Sequence, residues 1–171
     1  MENNAVDISF EDRMKEIKEK AKQRRIVTKD KILQLFTTLK FNSLAFDKVE
    51  VKYAGSGDSG AIEDINFYNE DKMLFSKFVG YAHEEQSVNI PRDSALTDAL
   101  KKDIHHNPTV CKLIGHIEDI TYDMLEERHG GWEINDGQEG TFTFTFENNS
   151  MQINHDYTVF TYDSHQHQEE F

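Results

Sequence analysis

Apolar and polar positions recur with two periods along this chain, and each period implies an element. In "SFEDRMKEIKEKAKQRR" (residues 9–25), Phe10, Met14, Ile17 and Ala21 are spaced by four, three and four. That is one narrow stripe of a helix, with Glu/Lys pairs on the other faces and Ser9 and Asp12 at the positions of a capping box. So thin a stripe implies a peripheral helix, extended or covered by a partner. Thr28 is expected to cap a second helix to about Lys40, in which Ile32, Leu33, Leu35, Phe36 and Leu39 form a broad buried face. The period then changes to two. Val49, Val51 and Tyr53 share one strand face, and so do Ile65 and Phe67; "GSGDSG" between them reads as the wide loop of a hairpin.

Residues 70–92 follow neither period, and "MLFSKFVGYA" suits strand or helix until Pro91 interrupts. Ser94 is expected to cap a helix to about His105. Pro108 opens a longer one, roughly Thr109–His129, with Val110, Leu113, Ile114, Ile117, Ile120, Met124 and Leu125 in one stripe. The chain then alternates strictly through "TFTFTF". A two-residue turn at Asn148–Asn149 sets Phe146 opposite Met151, Phe144 opposite Ile153 and Phe142 opposite His155. Between helix and hairpin lies "HGGWEINDGQEG", residues 129–140. Gly130–Gly131 stand where a C-cap glycine belongs, Trp132 can fold back on the helix end, and "NDG" signals a turn. The expected fold class is α+β: two antiparallel β-hairpins in one sheet, packed against helices, with an N-terminal amphipathic helix. The expected division is a charged helical extension over 1–27, one domain over 28–164 and a polar tail over 165–171.

Composition narrows the function. The chain has 171 residues and a net charge of −13. Residues 1–40 carry +3 and residues 41–171 carry −16. From residue 113 onward Arg128 is the only basic residue. Such a field repels free nucleic acid and favours cationic partners. The single cysteine, Cys111, excludes an internal disulfide and a multi-cysteine zinc site. No apolar run reaches the ~20 residues of a membrane span, and the first residues lack a signal-peptide core, so a cytoplasmic protein without membrane contact is expected.

Several stretches hold candidate chemistry. "GDSG" (57–60) looks like a serine-protease nucleophile loop, but no histidine precedes His83, so the order of that triad is missing. It is no phosphate loop either, since no Lys-Ser/Thr follows. His129, Glu133 and Asp136 beside Trp132 could form a polar cluster. With Asp58 and Glu63 they are the ligands a metal-assisted hydrolase would use. His165 and His167 lie in the tail, and His155 reads as a core-edge histidine. In "KAKQRR", Lys20, Lys22, Arg24 and Arg25 are candidates for local, weak phosphate contact. No complete catalytic constellation emerges, and no cofactor or metal is expected.

"YAGSGDSGAIE" and "HGGWEINDGQEGTFTF" together resemble an uncharacterised bacterial domain-of-unknown-function family. Its members carry a GDSGxIE loop and a GWExNDGxxG stretch before a final hairpin. The resemblance covers about residues 46–171 and leaves the N-terminal helix outside. It singles out Gly57, Asp58, Ser59, Gly60, Glu63, Gly131, Trp132, Glu133, Asn135, Asp136 and Gly137. It implies a setting on plasmids, prophages and other mobile elements, near defence or counter-defence systems. The expected function is therefore a non-enzymatic acidic interaction protein. It would bind and modulate a larger protein with a basic surface, such as a nuclease effector of the CRISPR type, and would itself form a homodimer. Expected partner or ligand contacts are Asp58, Ser59, Glu63, His129, Trp132, Glu133, Asn135 and Asp136. The alternatives are a small-ligand or nucleic-acid sensor, or the metal-assisted hydrolase, built from the two glycine-rich loops.

Overall fold

The structure, a computed structural model, describes residues 9–42, 44–79, 87–128, 132, 134–148 and 150–160. Its first element is one helix, α1 (Phe10–Phe41), instead of the two expected. Ser9 caps it as its sequence implies, accepting from the Asp12 N–H at 3.2 Å. Thr28 is no cap. It is buried, and its hydroxyl donates to the Arg24 carbonyl one turn back at 3.0 Å. A threonine satisfied in this way no longer competes with the helix, and no glycine or proline interrupts residues 25–28.

Strand β1 (Lys48–Asn69) follows, then β2 (Lys72–Phe78) and a two-residue β3 (Val88–Asn89). A straight strand would hold residues 48 and 68 roughly 66 Å apart. Instead the Asp47 N–H donates to the Tyr68 carbonyl at 2.9 Å, and the Phe46 and Phe67 rings meet at 5.3 Å. β1 therefore doubles back around its glycine-rich middle, as the hairpin reading requires. Its first limb pairs with β4 and its second with β2. The turn into β2 has Glu70 and Asp71 at φ 49° and 61°. Glutamate does not favour that region, whereas aspartate enters it more readily. The first limb supports the turn: Asp47 accepts from the Glu70 N–H at 3.0 Å, and Lys48 lies 3.2 Å from the Asp71 carboxylate.

Helix α2 (Asp98–Asp103) is capped by Thr97, not by Ser94. Ser94 is buried and donates to the Leu74 carbonyl at 2.6 Å, tying its loop to β2. In α3 (Pro108–Arg128), Asn107 accepts from the N–H groups of Thr109 and Val110. Every residue of the expected α3 stripe is buried. The chain closes with β4 (Ile134–Glu147) and β5 (Ser150–Val159), in the register read from the alternation: Phe146 opposite Met151, Phe144 opposite Ile153, Phe142 opposite His155.

The sheet order is β3-β2-β1-β4-β5. Val49, Val51, Tyr53, Phe142, Phe144 and Phe146 face the helices, and α1 reaches them through Phe36, stacked on Phe146 at 4.6 Å. Each fully buried large apolar side chain contributes about 1.5–3 kcal/mol. The other sheet face, with Lys52 and Thr141 aligned on Asp156, is polar and open. The α+β class follows.

Candidate functional site

The glycine-rich bend of β1 meets the start of β4. In the ladder Gly55 faces Gln138, Gly57 faces Asn135 and Asp58 faces Ile134, with a register shift between Gly55 and Gly57. Gly137 makes the junction possible. Its φ is +82°, and a Cβ there would collide with the Gly55 carbonyl oxygen. Both the backbone region and the close approach require glycine. Two motifs about 75 residues apart in "GDSG" and "NDG" thus form one irregular ladder end.

Behind this junction, on the helix side, sits a polar and aromatic cluster. The Tyr53 ring is buried and meets Trp132 edge-on at 5.4 Å. Gln138, also buried, donates its amide to the Tyr53 hydroxyl oxygen. The Tyr53 hydroxyl also lies 2.9 Å from His155 Nε2. With Gln138 donating, the phenolic proton is free to go to His155, whose Nε2 then accepts. Burial pushes the Tyr53 hydroxyl up, against the opposing Gln138 bond. His155 stacks on Phe142 at 3.9 Å and on Tyr157 at 5.0 Å. Gly140 gives Tyr53 its room, since a Cβ there would stand 2.7 Å from the hydroxyl oxygen. Tyr53 and Gln138 were not singled out from sequence. The signal was the inward parity of Tyr53, because a buried phenol needs a polar partner.

Residues 26–169 match a family of unknown function, DUF6878. The chain belongs to that family. No curated protein and no solved structure matches it. The DUF6878 match takes in the junction, the Tyr53 cluster and the whole sheet. The first turns of α1 lie outside it.

The individual candidates fall in different places. Asp58 and Ser59 are exposed on the bend. Glu63 is exposed on the open sheet face, where a cleft of about 490 Å³ is lined by Lys52, Glu139, Asp156 and Thr158. Trp132 is only 5% exposed, and its ring packs in the core. Asn135 and Asp136 are placed by their backbone in β4. His129, Gly131, Glu133, His165 and His167 lie outside the described residues. Among the described residues no group of three or more His, Cys, Asp or Glu is arranged to hold a metal. No described helix is long and apolar enough to cross a membrane.

The basic cluster is divided by α3. Arg24 pairs with Asp123, its Nε donating at 2.8 Å, and Arg25 pairs with Glu127. The bond to Glu127 raises the Arg25 guanidinium above its ordinary value. Lys20 pairs within the helix with Glu16 at 2.6 Å. Lys22 edges a groove of about 420 Å³ between the two helices, beside Ile26, Lys29, Met124 and Ile153. N-terminal to Ala21 the helix is exposed at every position, and Phe10 and Ile17 stand 76% and 58% open. These side chains continue the line that holds Thr28, Ile32, Phe36 and Leu39 in the core.

Proposed function

We propose that this DUF6878 member is a non-enzymatic interaction protein whose docking element is the projecting half of α1. The observation that carries the proposal is the bare stripe of Phe10, Met14 and Ile17, in line with the buried stripe of the same helix. Spacings of three and four are those by which an amphipathic helix anchors in an apolar groove or against another helix. The acidic body supplies the second contact, with a larger protein bearing a basic surface. In the mobile-element setting implied by the motifs, the partner class is a nucleic-acid-handling effector of a defence system such as CRISPR, and binding modulates it.

The test is affinity purification of wild-type and Ile17→Glu protein at low and high salt. One abundant partner, lost with Ile17→Glu and weakened by salt, supports the proposal. An identical set of captured proteins for both chains overturns it. A second reading is favoured by the pairing of Gly55–Asp58 with Ile134–Gln138: the junction senses a small ligand or a nucleotide. Trp132 packs against Tyr53 and Tyr122, so a ligand that shifts the junction would change its fluorescence.

A further inference from the structure

We infer that the bare half of α1 docks on the same half of a second copy, antiparallel, to form a two-fold dimer. This rests on α1 being a docking element and names its occupant: the second copy covers the stripe, and the dimer so formed presents its acidic bodies to the larger protein. Helix α3 covers the α1 stripe only as far as the ion pairs of Arg24 and Arg25, close to its last residue, Arg128. Beyond that point the stripe continues through Ala21, Ile17, Met14 and Phe10 with the spacing of a two-helix seam. A second helix laid antiparallel would extend the cover from where α3 stops.

Side-chain sizes select the register. Antiparallel pairing sets Met14 against Ile17 of the second copy and Phe10 against Ala21. The largest side chain of the stripe then seats on the smallest, twice by symmetry. A parallel pair would stack Phe10 on Phe10 and leave Ala21 facing Ala21. The flanking charges agree. Parallel helices bring Arg13 beside Lys18 and Lys20 beside Arg25, all of one sign. The antiparallel register brings Glu11 beside Lys18 of the second copy on one flank. On the other flank Arg13 faces Lys20, a like pair, so the antiparallel register sets one opposite pair against one like pair where the parallel one has like pairs alone. The seam is short, so the dimer is concentration-dependent.

The experiment is sedimentation equilibrium on the full chain from micromolar to millimolar concentration. Wild type is expected to move from 19.9 kDa toward twice that mass, and Ile17→Glu to stay at the monomer mass. Register is read by disulfide trapping with Cys111→Ser in every chain. A mixture of Phe10→Cys and Ala21→Cys chains is expected to cross-link, and neither alone. A monomeric wild type, an unchanged dimer of Ile17→Glu, or cross-linking of Phe10→Cys with itself overturns the inference. The two proposals fail separately. If wild type is monomeric while Ile17→Glu still loses its captured partner, the second copy is wrong and the docking element stands. If Ile17→Glu alters neither mass nor capture, both fall.

Discussion

The two ends of the sheet are built on different principles. At one end, where α1 finishes and β1 begins and returns, the contacts are carbon on carbon. Phe36 stacks on Phe146, and Phe46 meets Phe36, Phe67 and Phe146 edge-on at 5.2–5.4 Å. At the other end, where β1 bends and β4 starts, the ladder shifts register at glycines and the space behind it holds Tyr53, Gln138, His155 and Trp132. The first end tolerates any filling of the right volume and shape. The second depends on individual atoms: a missing Cβ at Gly137 and Gly140, and one hydroxyl shared by two partners. Ring-on-ring packing is concentrated at the first, and glycine-dependent backbone geometry at the second.

Substitutions at each end can break that contrast. Phe36→Ala removes a ring with two aromatic neighbours, Phe46 and Phe146, and should cost about 3–5 kcal/mol in urea unfolding; a cost below that of a surface truncation would deny the apolar end its role. Gly137→Ala forces a Cβ into positive φ and into the Gly55 carbonyl, for about 2–4 kcal/mol. Its signature is local: amides of Gly55–Asp58 and Gly137–Gln138 should exchange before the rest of the sheet. Uniform loss of protection would mean that the two ends are one cooperative unit. Tyr53→Phe keeps the ring and deprives buried Gln138 of its acceptor, which should cost about 1–3 kcal/mol.

The smallest effect lies between the ends. Glu118 of α3 is half-buried, with Lys77 3.7 Å away, and burial raises its carboxyl above the ordinary 4.5 against the pull of Lys77. The native state therefore binds this proton more tightly than the unfolded chain, so the contribution of Glu118 to stability falls as pH rises from 4.5 through the raised value. Glu118→Gln should gain on wild type across that window and then level off, by less than about 1 kcal/mol after solvent screening. A constant difference between the two chains from pH 4 to 8 would contradict it.

The apolar end was largely readable in the sequence, because strand alternation and helix stripes are local patterns with local causes. Phe142, Phe144 and Phe146 alternate with threonines, and the turn after Glu147 leaves one register that buries all three. The turn at Glu70–Asp71 was not readable. Positive φ at Glu70 does not suit glutamate by preference, and the turn is supported by Asp47 and Lys48 from more than 20 positions earlier. For the same reason β2 looked ambiguous. Thr28 misled differently: a residue that favours caps was satisfied inside the helix by the Arg24 carbonyl. The placement of Trp132 inside the core was not legible either, since a lone tryptophan after a helix suits either a buried or a binding role.

By itself the sequence determined the period of each element, the faces of α3, β4 and β5, and the stretch of α1 that is apolar without being broad. Those depend on spacing alone, and side-chain geometry converts spacing into a face. Only the tertiary structure decided that α1 runs unbroken, that β1 folds back on itself, that "GDSG" and "NDG" share one ladder, and where α3 stops covering α1. Each of these depends on groups far apart in the chain, whose meeting is set by the packing of the whole domain and leaves no local trace.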